Sequence, residues 1–343
     1  MKAVALTRYL PIDNPESLVD IDLPAPTPGA HDLRVRVEAV SVNPVDTKMR
    51  APKAQLEAQV EAQPKVLGYD AAGIVEAVGA AVTLFKPGDS VYYAGDIMRS
   101  GTNAQLHLVD ERIVGHMPKS LDFAHAAALP LTSLTAWELL FQRMRLDPDG
   151  RERGRTLLVI AGAGGVGSMA IQFAQLAGLT VIATASRPAT QNWCRTLGAD
   201  HVIDHRAPLA DSLKSAGLNR VDYIVNFVDT DGYWQQMADL IAPQGRIGLI
   251  VEPKRDVYVG NPLKDKSVSL HWESMFTRAR NRSADLVEQH RILDHVAALV
   301  DAGNVRSTLN ETLNPINAAN LREAHRRSES GTTIGKLVLA GWE

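Results

Sequence analysis

The feature that most constrains the fold of this chain is a glycine-rich turn between an apolar run and an amphipathic segment. The run TLLVIA, residues 156–161, is followed by Gly162, Gly164 and Gly167 in the spacing G-x-G-x-x-G. The next segment then carries apolar residues at helical spacing, namely Val166, Met169, Ala170, Phe173, Ala174 and Ala177. A strand, a glycine turn and a helix in this order predict a dinucleotide site whose pyrophosphate binds at the helix N-terminus. A plain glycine turn inside an α/β unit is the alternative.

Within this turn each glycine has a predicted role. Gly162 is expected to form the turn, Gly164 to let the pyrophosphate approach closely, and Gly167 to let the helix pack on the strand. The turn after the following strand indicates which dinucleotide binds. No Asp or Glu occurs from residue 156 to 199, and Ser186 and Arg187 occupy the position where an NAD site carries an acid. A hydroxyl and a guanidinium suit a 2′-phosphate, so NADP(H) is expected; the alternative is that Arg187 is a solvated surface charge.

Strand-like and helical patterns alternate through the middle of the chain. The apolar runs are 156–161, 180–185, 221–227, 245–251 and 268–272. Their alternation with helical stretches predicts an α/β fold, with a parallel sheet covered by helices. The first third instead shows short alternating runs such as 33–42, typical of a β-rich domain. The polar segment 53–63 predicts a short exposed helix or a loop.

Composition excludes several classes of protein. A chain of 343 residues is long enough for two domains, and its net charge of −3 gives no reason to expect nucleic acid or an anionic membrane as partner. Cys194 is the only cysteine, so an internal disulfide is excluded and a reducing compartment is favoured. The N-terminus lacks the apolar core of a signal peptide, and no apolar run is long enough to span a bilayer. A cytoplasmic location is therefore expected.

Seven segments resemble the medium-chain dehydrogenase/reductases, and in particular their zinc-free, quinone oxidoreductase-like branch, whose members are often labelled zinc-binding alcohol dehydrogenases. The resemblance implies a β-rich, GroES-like catalytic domain built from residues 1–125 and 277–343. It also implies an inserted Rossmann domain, a doubly wound parallel sheet at residues 126–276 that binds NADP(H). The segments are 41–48, 67–79, 85–92, 127–140, the glycine turn, 197–205 and the final GKLVL.

The positions that hold zinc ligands in zinc-dependent members carry other residue types here. Asn43 stands in place of a cysteine, although Asp46, three residues later, is kept. Tyr69 and Asp70 replace the His-Glu pair after a glycine, and Leu131 stands where a further cysteine would be. The family's structural zinc needs four cysteines, which one cysteine cannot supply. No metal site is expected.

The resemblance also implies the residues of the catalytic site. Asn43, Asp46 and Tyr69 would surround the nicotinamide and the hydride acceptor. The amide of Asn43 would donate a hydrogen bond to the acceptor oxygen, Tyr69 would act as donor or proton relay, and Asp46 would orient one of them. The alternatives are that Asn43 caps a turn before Pro44 and that Tyr69 is a core aromatic.

Further contacts follow from the same resemblance. Trp272, Met275 and Phe276 would line an apolar acceptor pocket, or else pack in the core or in the interface of the homodimer that the resemblance implies. Thr132 and Thr135 have helix capping as an alternative, and His205 a surface position. The implied cofactor contacts are Thr132, Thr135, Gly162, Gly164, Gly165, Val166, Gly167, Ser186, Arg187, His205 and Val251.

Without a Lewis acid, oxidation of an alcohol loses its usual activation, whereas an electron-poor acceptor needs only hydrogen-bond donors and a proton. The expected function is therefore NADPH-dependent hydride transfer to a quinone or an α,β-unsaturated carbonyl. An alcohol dehydrogenase and a non-catalytic NADPH-binding sensor or scaffold are the alternatives.

Overall fold

The structure is a computed structural model that describes residues 1–52 and 60–343. Most of the predicted helix or loop at 53–63 thus lies outside the described residues. Residues 60–63 belong to a strand instead, because Val60–Val66 pairs antiparallel with Lys2–Arg8, and this main-chain pairing outweighs the low strand propensity of its Glu, Gln and Lys residues.

The elements have the following bounds. The strands are β1 (Lys2–Arg8), β2 (Val19–Asp22), β3 (Asp32–Ser41), β4 (Val60–Val66), β5 (Ala71–Val78), β6 (Ser90–Tyr93), β7 (Leu106–Asp110), β8 (Val114–His116), β9 (Thr156–Ile160), β10 (Thr180–Thr184), β11 (His201–Ile203), β12 (Val221–Asn226), β13 (Ile241–Leu249), β14 (Ser269–Trp272), β15 (Leu309–Leu313) and β16 (Lys336–Ala340). The α-helices are α1 (Pro44–Arg50), α2 (Phe123–Ala127), α3 (Pro130–Trp137), α4 (Gly165–Leu176), α5 (Pro188–Thr196), α6 (Leu209–Ser215), α7 (Thr230–Leu240), α8 (Thr277–Asn281), α9 (Glu288–Asp301) and α10 (Ala318–Glu329). Short 3₁₀ turns occupy Pro15–Ser17 and Glu111–Ile113, and a π-helical turn occupies Glu138–Arg143.

The described residues form two compact units. The first combines Met1–Leu131 with Phe276–Glu343, and the second is Thr132–Met275. Residues 126–131, which the sequence analysis assigns to the nucleotide-binding domain, belong to the first unit, because α2 packs on β3 and β5 and the Leu131 N–H donates to Asp70.

The first unit is rich in antiparallel strands, as expected from the alternating pattern. Its larger sheet runs in the order β15-β16-β3-β5-β6-β8, with β7 also paired to β3, and β2-β1-β4 form a second sheet. Strand β3 is central because its alternate residues Leu33, Val35 and Val37 are buried in the core of this unit. The pairing of β16 with β3 brings the end of the chain next to residues 39–41.

The second unit contains a parallel sheet in the order β11-β10-β9-β12-β13-β14, with α4 to α7 in the connections. The predicted α/β fold with a doubly wound parallel sheet is thus confirmed. The order reverses between β9 and β12, and in such sheets ligands bind at the carboxyl ends of the strands beside that reversal. The glycine turn follows β9 directly.

Two points raised by composition have structural counterparts. Cys194 is a free, buried thiol on α5, and burial raises its pKa to about 12, so the thiolate is not formed at neutral pH.

Of the helices within residues 1–52 and 60–343, none combines the length and the apolar character needed to cross a bilayer.

Candidate active site

The glycine turn lies at the carboxyl end of β9, directly before α4. Gly164 is the residue before α4, and its carbonyl accepts a hydrogen bond from the Ser168 N–H at 2.8 Å. The amides of residues 165–167 precede this bond in the first turn of α4. Such amides, together with the helix dipole, are the groups that bind a phosphate at a helix N-terminus.

The space available for a Cβ atom at each glycine of the turn shows why glycine is needed there. A Cβ at Gly167 would lie 2.3 Å from the Ala161 carbonyl oxygen, and one at Gly162 would lie 2.8 Å from the Cβ of Ala183. At Gly164 the nearest atom would be the Ala161 oxygen at an ordinary 3.5 Å. Gly162 and Gly167 therefore serve close packing, and the positive φ of the turn, 66°, falls on Ala161. The space beside Gly164 remains open, which fits a pyrophosphate.

The expected 2′-phosphate site follows β10. Ser186 is partly buried, and Arg187 is the exposed residue that precedes α5. The carbonyl of Ser186 accepts a hydrogen bond from Nη2 of Arg206 at 3.0 Å. This places a second guanidinium beside Ser186, although the sequence analysis did not single out Arg206.

Arg206 comes from the neighbouring strand of the sheet. It follows the exposed His205 just after β11, and its Nε lies 3.0 Å from Oδ1 of Asp204. These hydrogen bonds lower the pKa of the Asp204 carboxyl to about 2. Parallel neighbours such as β10 and β11 end at the same edge of a sheet, so Arg206 can be predicted only once β11 is recognised as the neighbour of β10.

The remaining cofactor candidates divide into two groups. Val251 follows β13 at the same carboxyl edge as the glycine turn, and its carbonyl accepts a 2.6 Å hydrogen bond from Thr230 Oγ1. Thr132 and Thr135 lie buried on α3, which precedes β9 in the chain and so does not follow a strand of the parallel sheet. The structure thus collects the predicted residues after β9, β10, β11 and β13 along one edge.

In the first unit, Asn43 and Asp46 cap the start of α1. The Asn43 N–H donates to Asp46 Oδ2 at 2.7 Å, and the Asp46 N–H donates to the Asn43 carbonyl at 3.0 Å. Pro44 follows as the first helical residue, where its missing N–H costs nothing. The bond from the Asn43 N–H holds the buried side chain of Asp46 against the start of the helix.

Two further charged residues, Asp70 and Lys336, complete this cluster, and sequence reasoning gave neither a role. Asp70 Oδ1 accepts from the Leu131 N–H at 2.8 Å, and its Oδ2 accepts from Asn43 Nδ2 at 2.7 Å. Lys336 Nζ lies 3.2 Å from Asp70 Oδ2 and donates to the Val42 carbonyl at 2.8 Å and to Asn43 Oδ1. Asn43, Asp70 and Lys336 are each at most 3% exposed.

The charges of the cluster do not balance when every group is ionised. Burial raises the pKa of Asp70 and lowers that of Lys336, while the opposite charge of each partner works against both shifts. Burial also raises the pKa of Asp46 to about 7, and the nearby Asp70 adds to this while Lys336 opposes it. Asp46 Oδ1 has no hydrogen-bond partner among the described residues. Since Asp70 holds the ammonium ion directly, Asp46 is the carboxyl that binds a proton near neutral pH.

Tyr69 is a buried phenol that keeps its proton at neutral pH. Burial, followed by the charge of Asp46, raises its pKa. Its ring packs edge-to-face on Phe276, with centroids 5.4 Å apart. Of the other two predicted pocket residues, Met275 is buried in the second unit, and Trp272 is 53% exposed at the end of the edge strand β14. The structure therefore brings Phe276 to Tyr69 within the first unit.

The residues at the position where zinc-dependent members of the family hold their metal do not fit a zinc ion. Asn43 Oδ1 and Asp70 Oδ2 already face the ammonium group of Lys336, and a second cation would be repelled by it. Leu131 has no donor side chain, and thiolate and imidazole ligands are missing from the positions discussed above.

Comparisons with known proteins cover both units. Residues 29–119 match the family described as alcohol dehydrogenase GroES-like domain, and residues 197–339 match the family described as zinc-binding dehydrogenase. A zinc-type alcohol dehydrogenase-like protein of Staphylococcus aureus is 42% identical over 315 residues, 92% of each chain. A quinone oxidoreductase of Pseudomonas aeruginosa is 32% identical over 342 residues, 97% of this chain and 98% of that protein.

Among solved structures, a putative zinc-dependent alcohol dehydrogenase from Rhizobium etli is 52% identical, with a TM-score of 0.92, and the match covers 100% of this chain and 98% of that one. Its name and those of the sequence relatives refer to zinc or to quinones. Neither word can be carried over by identity alone, because the residues at the site decide the chemistry.

Proposed function

The chain belongs to the medium-chain dehydrogenase/reductase superfamily, in its quinone oxidoreductase-like branch, and from this premise we propose that it transfers hydride from NADPH to a quinone or an α,β-unsaturated carbonyl without a catalytic zinc ion. The observation that carries the proposal is the buried cluster of Asn43, Asp70 and Lys336. In this cluster an ammonium ion occupies the surroundings in which zinc-dependent members of the family hold their metal. The coarser activity, that of an oxidoreductase, follows from the family.

The charge requirements of the reaction favour an electron-poor acceptor. An alcohol must lose its hydroxyl proton before it can release hydride, and this needs a metal or a strong base. The carboxylate of Asp70 is paired with the ammonium group of Lys336, so it is not a free base. A quinone or an enone takes the new charge on its own carbonyl oxygen, which needs only a hydrogen-bond donor and then a proton. Bound NADPH supplies the hydride.

The first unit would supply the acid for this reaction. Tyr69 carries an O–H that stays protonated at neutral pH, and we assign it the hydrogen bond to the acceptor oxygen. Asp46 holds a proton up to pH values of about 7 and has an unpartnered Oδ1, so it is suited to restore the proton of Tyr69. Asn43 gives one amide hydrogen to Asp70, whereas its second makes only a 3.4 Å contact with the Ser41 carbonyl and is the one left for the acceptor.

The second unit would bind the cofactor along the carboxyl edge of its sheet. The open space beside Gly164 and the first amides of α4 suit the pyrophosphate. Ser186, Arg187 and Arg206 suit the 2′-phosphate of NADPH, because guanidinium groups form charge-assisted, bidentate hydrogen bonds with phosphate.

Replacing Arg187 with alanine should raise the Michaelis constant for NADPH and leave that for NADH nearly unchanged. A lost hydrogen bond to a charged group is worth about 1.5–3 kcal/mol, or roughly ten- to a hundredfold in affinity. Steady-state kinetics with both cofactors measures this, and Arg195→Ala, which removes an exposed arginine within α5, is the matched control. Equal losses for both cofactors, or a wild-type preference for NADH, would overturn the assignment.

A homodimer and a cytoplasmic location are also part of the proposal. Among the described strands, β14 pairs only with β13 and so forms an edge of its sheet, and the exposed Trp272 lies at its end. Pairing with β14 of a second copy would cover both features. The single, buried and reduced Cys194 suits the cytoplasm.

The reaction is tested by mixing the full-length protein with NADPH and either a simple quinone or an enone while nicotinamide absorbance is followed. Both acceptor classes offer an electrophilic carbon, so oxidation of NADPH is expected with at least one of them. NADPH that carries deuterium at the transferred position should place it on the β-carbon of the enone product. If NADPH binds but no acceptor of either class oxidises it, the protein is a non-catalytic NADPH-binding protein and the proposal fails.

A further inference from the structure

A group of metal-binding residue types lies in the first unit, outside the site described above. His116 ends strand β8, and His290 and Asp294 are four residues apart on α9, so both face the same side of that helix. One ligand atom from each of the three side chains lies within 4.8 Å of the other two. The sequence analysis missed this group because 178 residues separate His116 from Asp294.

Hydrogen bonds orient the side chains of this group. The main-chain N–H of His116 donates to Asp294 Oδ1 at 2.7 Å, and His116 Nδ1 lies 3.2 Å from Oδ1 and 3.1 Å from Oδ2 of the same carboxylate. His290 Nδ1 lies 2.7 Å from the Val114 carbonyl, which can only accept, so Nδ1 donates its hydrogen there and Nε2 is the nitrogen on the side of Asp294. Metal-binding histidines usually have such a second hydrogen bond to a carbonyl or carboxylate.

The distances suit a tetrahedral ion. Metal–ligand bonds of about 2.0–2.1 Å place neighbouring ligands of a tetrahedron about 3.3–3.4 Å apart. Asp294 Oδ2 lies 3.1 Å from His116 Nδ1 and 3.6 Å from His290 Nε2, on either side of that value. The side chain of His116 is about half exposed, at 47%, so a small rotation of its ring can bring the two imidazoles to the same spacing.

We propose that His116, His290 and Asp294 form an exchangeable site for a divalent transition-metal ion, with Zn²⁺ as the preferred occupant and water as the fourth ligand. Two imidazoles and one carboxylate suit Zn²⁺, whereas Mg²⁺ and Ca²⁺ prefer oxygen ligands throughout. Phe85 forms an apolar wall, with its ring centroid 4.5 Å from that of His116 and 5.5 Å from that of His290. The site is separate from the cluster around Lys336 and takes no part in hydride transfer.

An ion at this position would tie β8 to α9. Because the unfolded chain does not hold the three ligands together, binding stabilises the folded state. At a free Zn²⁺ concentration one hundred times the dissociation constant, the unfolding equilibrium should shift about a hundredfold towards the folded protein.

The proposal is tested by titrating chelator-treated, full-length protein with Zn²⁺ in competition with a chromophoric zinc indicator. Wild type is expected to bind one equivalent, and His290→Gln and Asp294→Asn should each weaken that binding more than tenfold. The matched control is His125→Gln, since His125 also pairs with an aspartate, Asp122, at 2.8 Å but belongs to no such group of three. Its affinity should equal that of wild type.

Thermal unfolding without metal shows whether each variant is folded. If His290→Gln does not fold, Asp294→Asn still tests the site, because it keeps the hydrogen bond between His290 and Val114. The proposal is overturned if wild type binds less than one equivalent. It is also overturned if a folded ligand variant binds Zn²⁺ as tightly as wild type, which would leave His116 and Asp294 as an ion pair only.

Discussion

Replacing Lys336 with methionine is expected to lower the free energy of unfolding by about 3–5 kcal/mol, because removing one partner of a buried ion pair leaves the other charge uncompensated. Asp70 would lose its cation, and the Val42 carbonyl and Asn43 Oδ1 would lose a hydrogen-bond donor. Methionine nearly preserves the volume of the lysine, so the loss reports on charge and hydrogen bonding rather than on a cavity. Urea unfolding curves of the full-length protein measure it.

Two further variants separate the ion pair from other effects. The double variant Asp70→Asn with Lys336→Met removes both charges and should recover much of the loss, since apolar or neutral replacement of a whole buried pair is often nearly neutral. Lys86→Met breaks an exposed ion pair with Asp89, at 2.7 Å, and should change stability little. If Lys336→Met is as stable as Lys86→Met, the cluster does not hold the ammonium ion as described.

Replacing Tyr69 with phenylalanine is expected to lower turnover about 10²–10³-fold, which is the typical cost of removing one donor from a developing oxyanion. Phenylalanine keeps the edge-to-face contact with Phe276, so the fold is preserved while the O–H is lost. Asn43→Ala should also lower turnover, because it removes a candidate donor and loosens Asp70 and Lys336. The measurement is kcat for each variant on one quinone and one enone.

The matched control for Tyr69 is Tyr92→Phe. Tyr92 is also buried, but its O–H donates to the Leu293 carbonyl at 2.6 Å and has no assigned part in the reaction. This variant should lose some stability and keep wild-type kcat. If Tyr69→Phe and Asn43→Ala both keep wild-type kcat on both acceptors, the catalytic site is assigned to the wrong residues, whatever the reaction is.

The architecture of the second unit could be predicted because its signals are local. Five apolar runs in the sequence overlap β9, β10, β12, β13 and β14, although β13 begins four residues before the predicted run, and the glycine turn lies directly between β9 and α4. Strand, turn and helix each leave a periodic or compositional pattern within about thirty residues, which is the length of one βαβ unit. The loop side chain Arg206 was missed because its place beside Ser186 depends on the neighbouring strand β11.

Only part of the cluster of Asn43, Asp46, Asp70 and Lys336 could be predicted, because its contacts join residues that are far apart in the sequence. Asn43 and Asp46 are three residues apart and form a local cap, whereas Lys336 lies 293 residues after Asn43. The final GKLVL segment was recognised as part of the family resemblance, but the role of its lysine depends on the pairing of β16 with β3. Long-range pairing of this kind leaves no periodicity that a single sequence displays.

Zinc-free hydride transfer is tested most directly by assaying NADPH oxidation before and after exhaustive dialysis of the full-length protein against a chelator. The expected result is that reduction of a quinone or an enone continues at the undialysed rate in protein with substoichiometric zinc, and that it exceeds the oxidation of ethanol or benzyl alcohol by NADP⁺. The contradicting result is activity that disappears on dialysis and returns with one zinc ion per chain, or an alcohol that is oxidised faster than either acceptor is reduced.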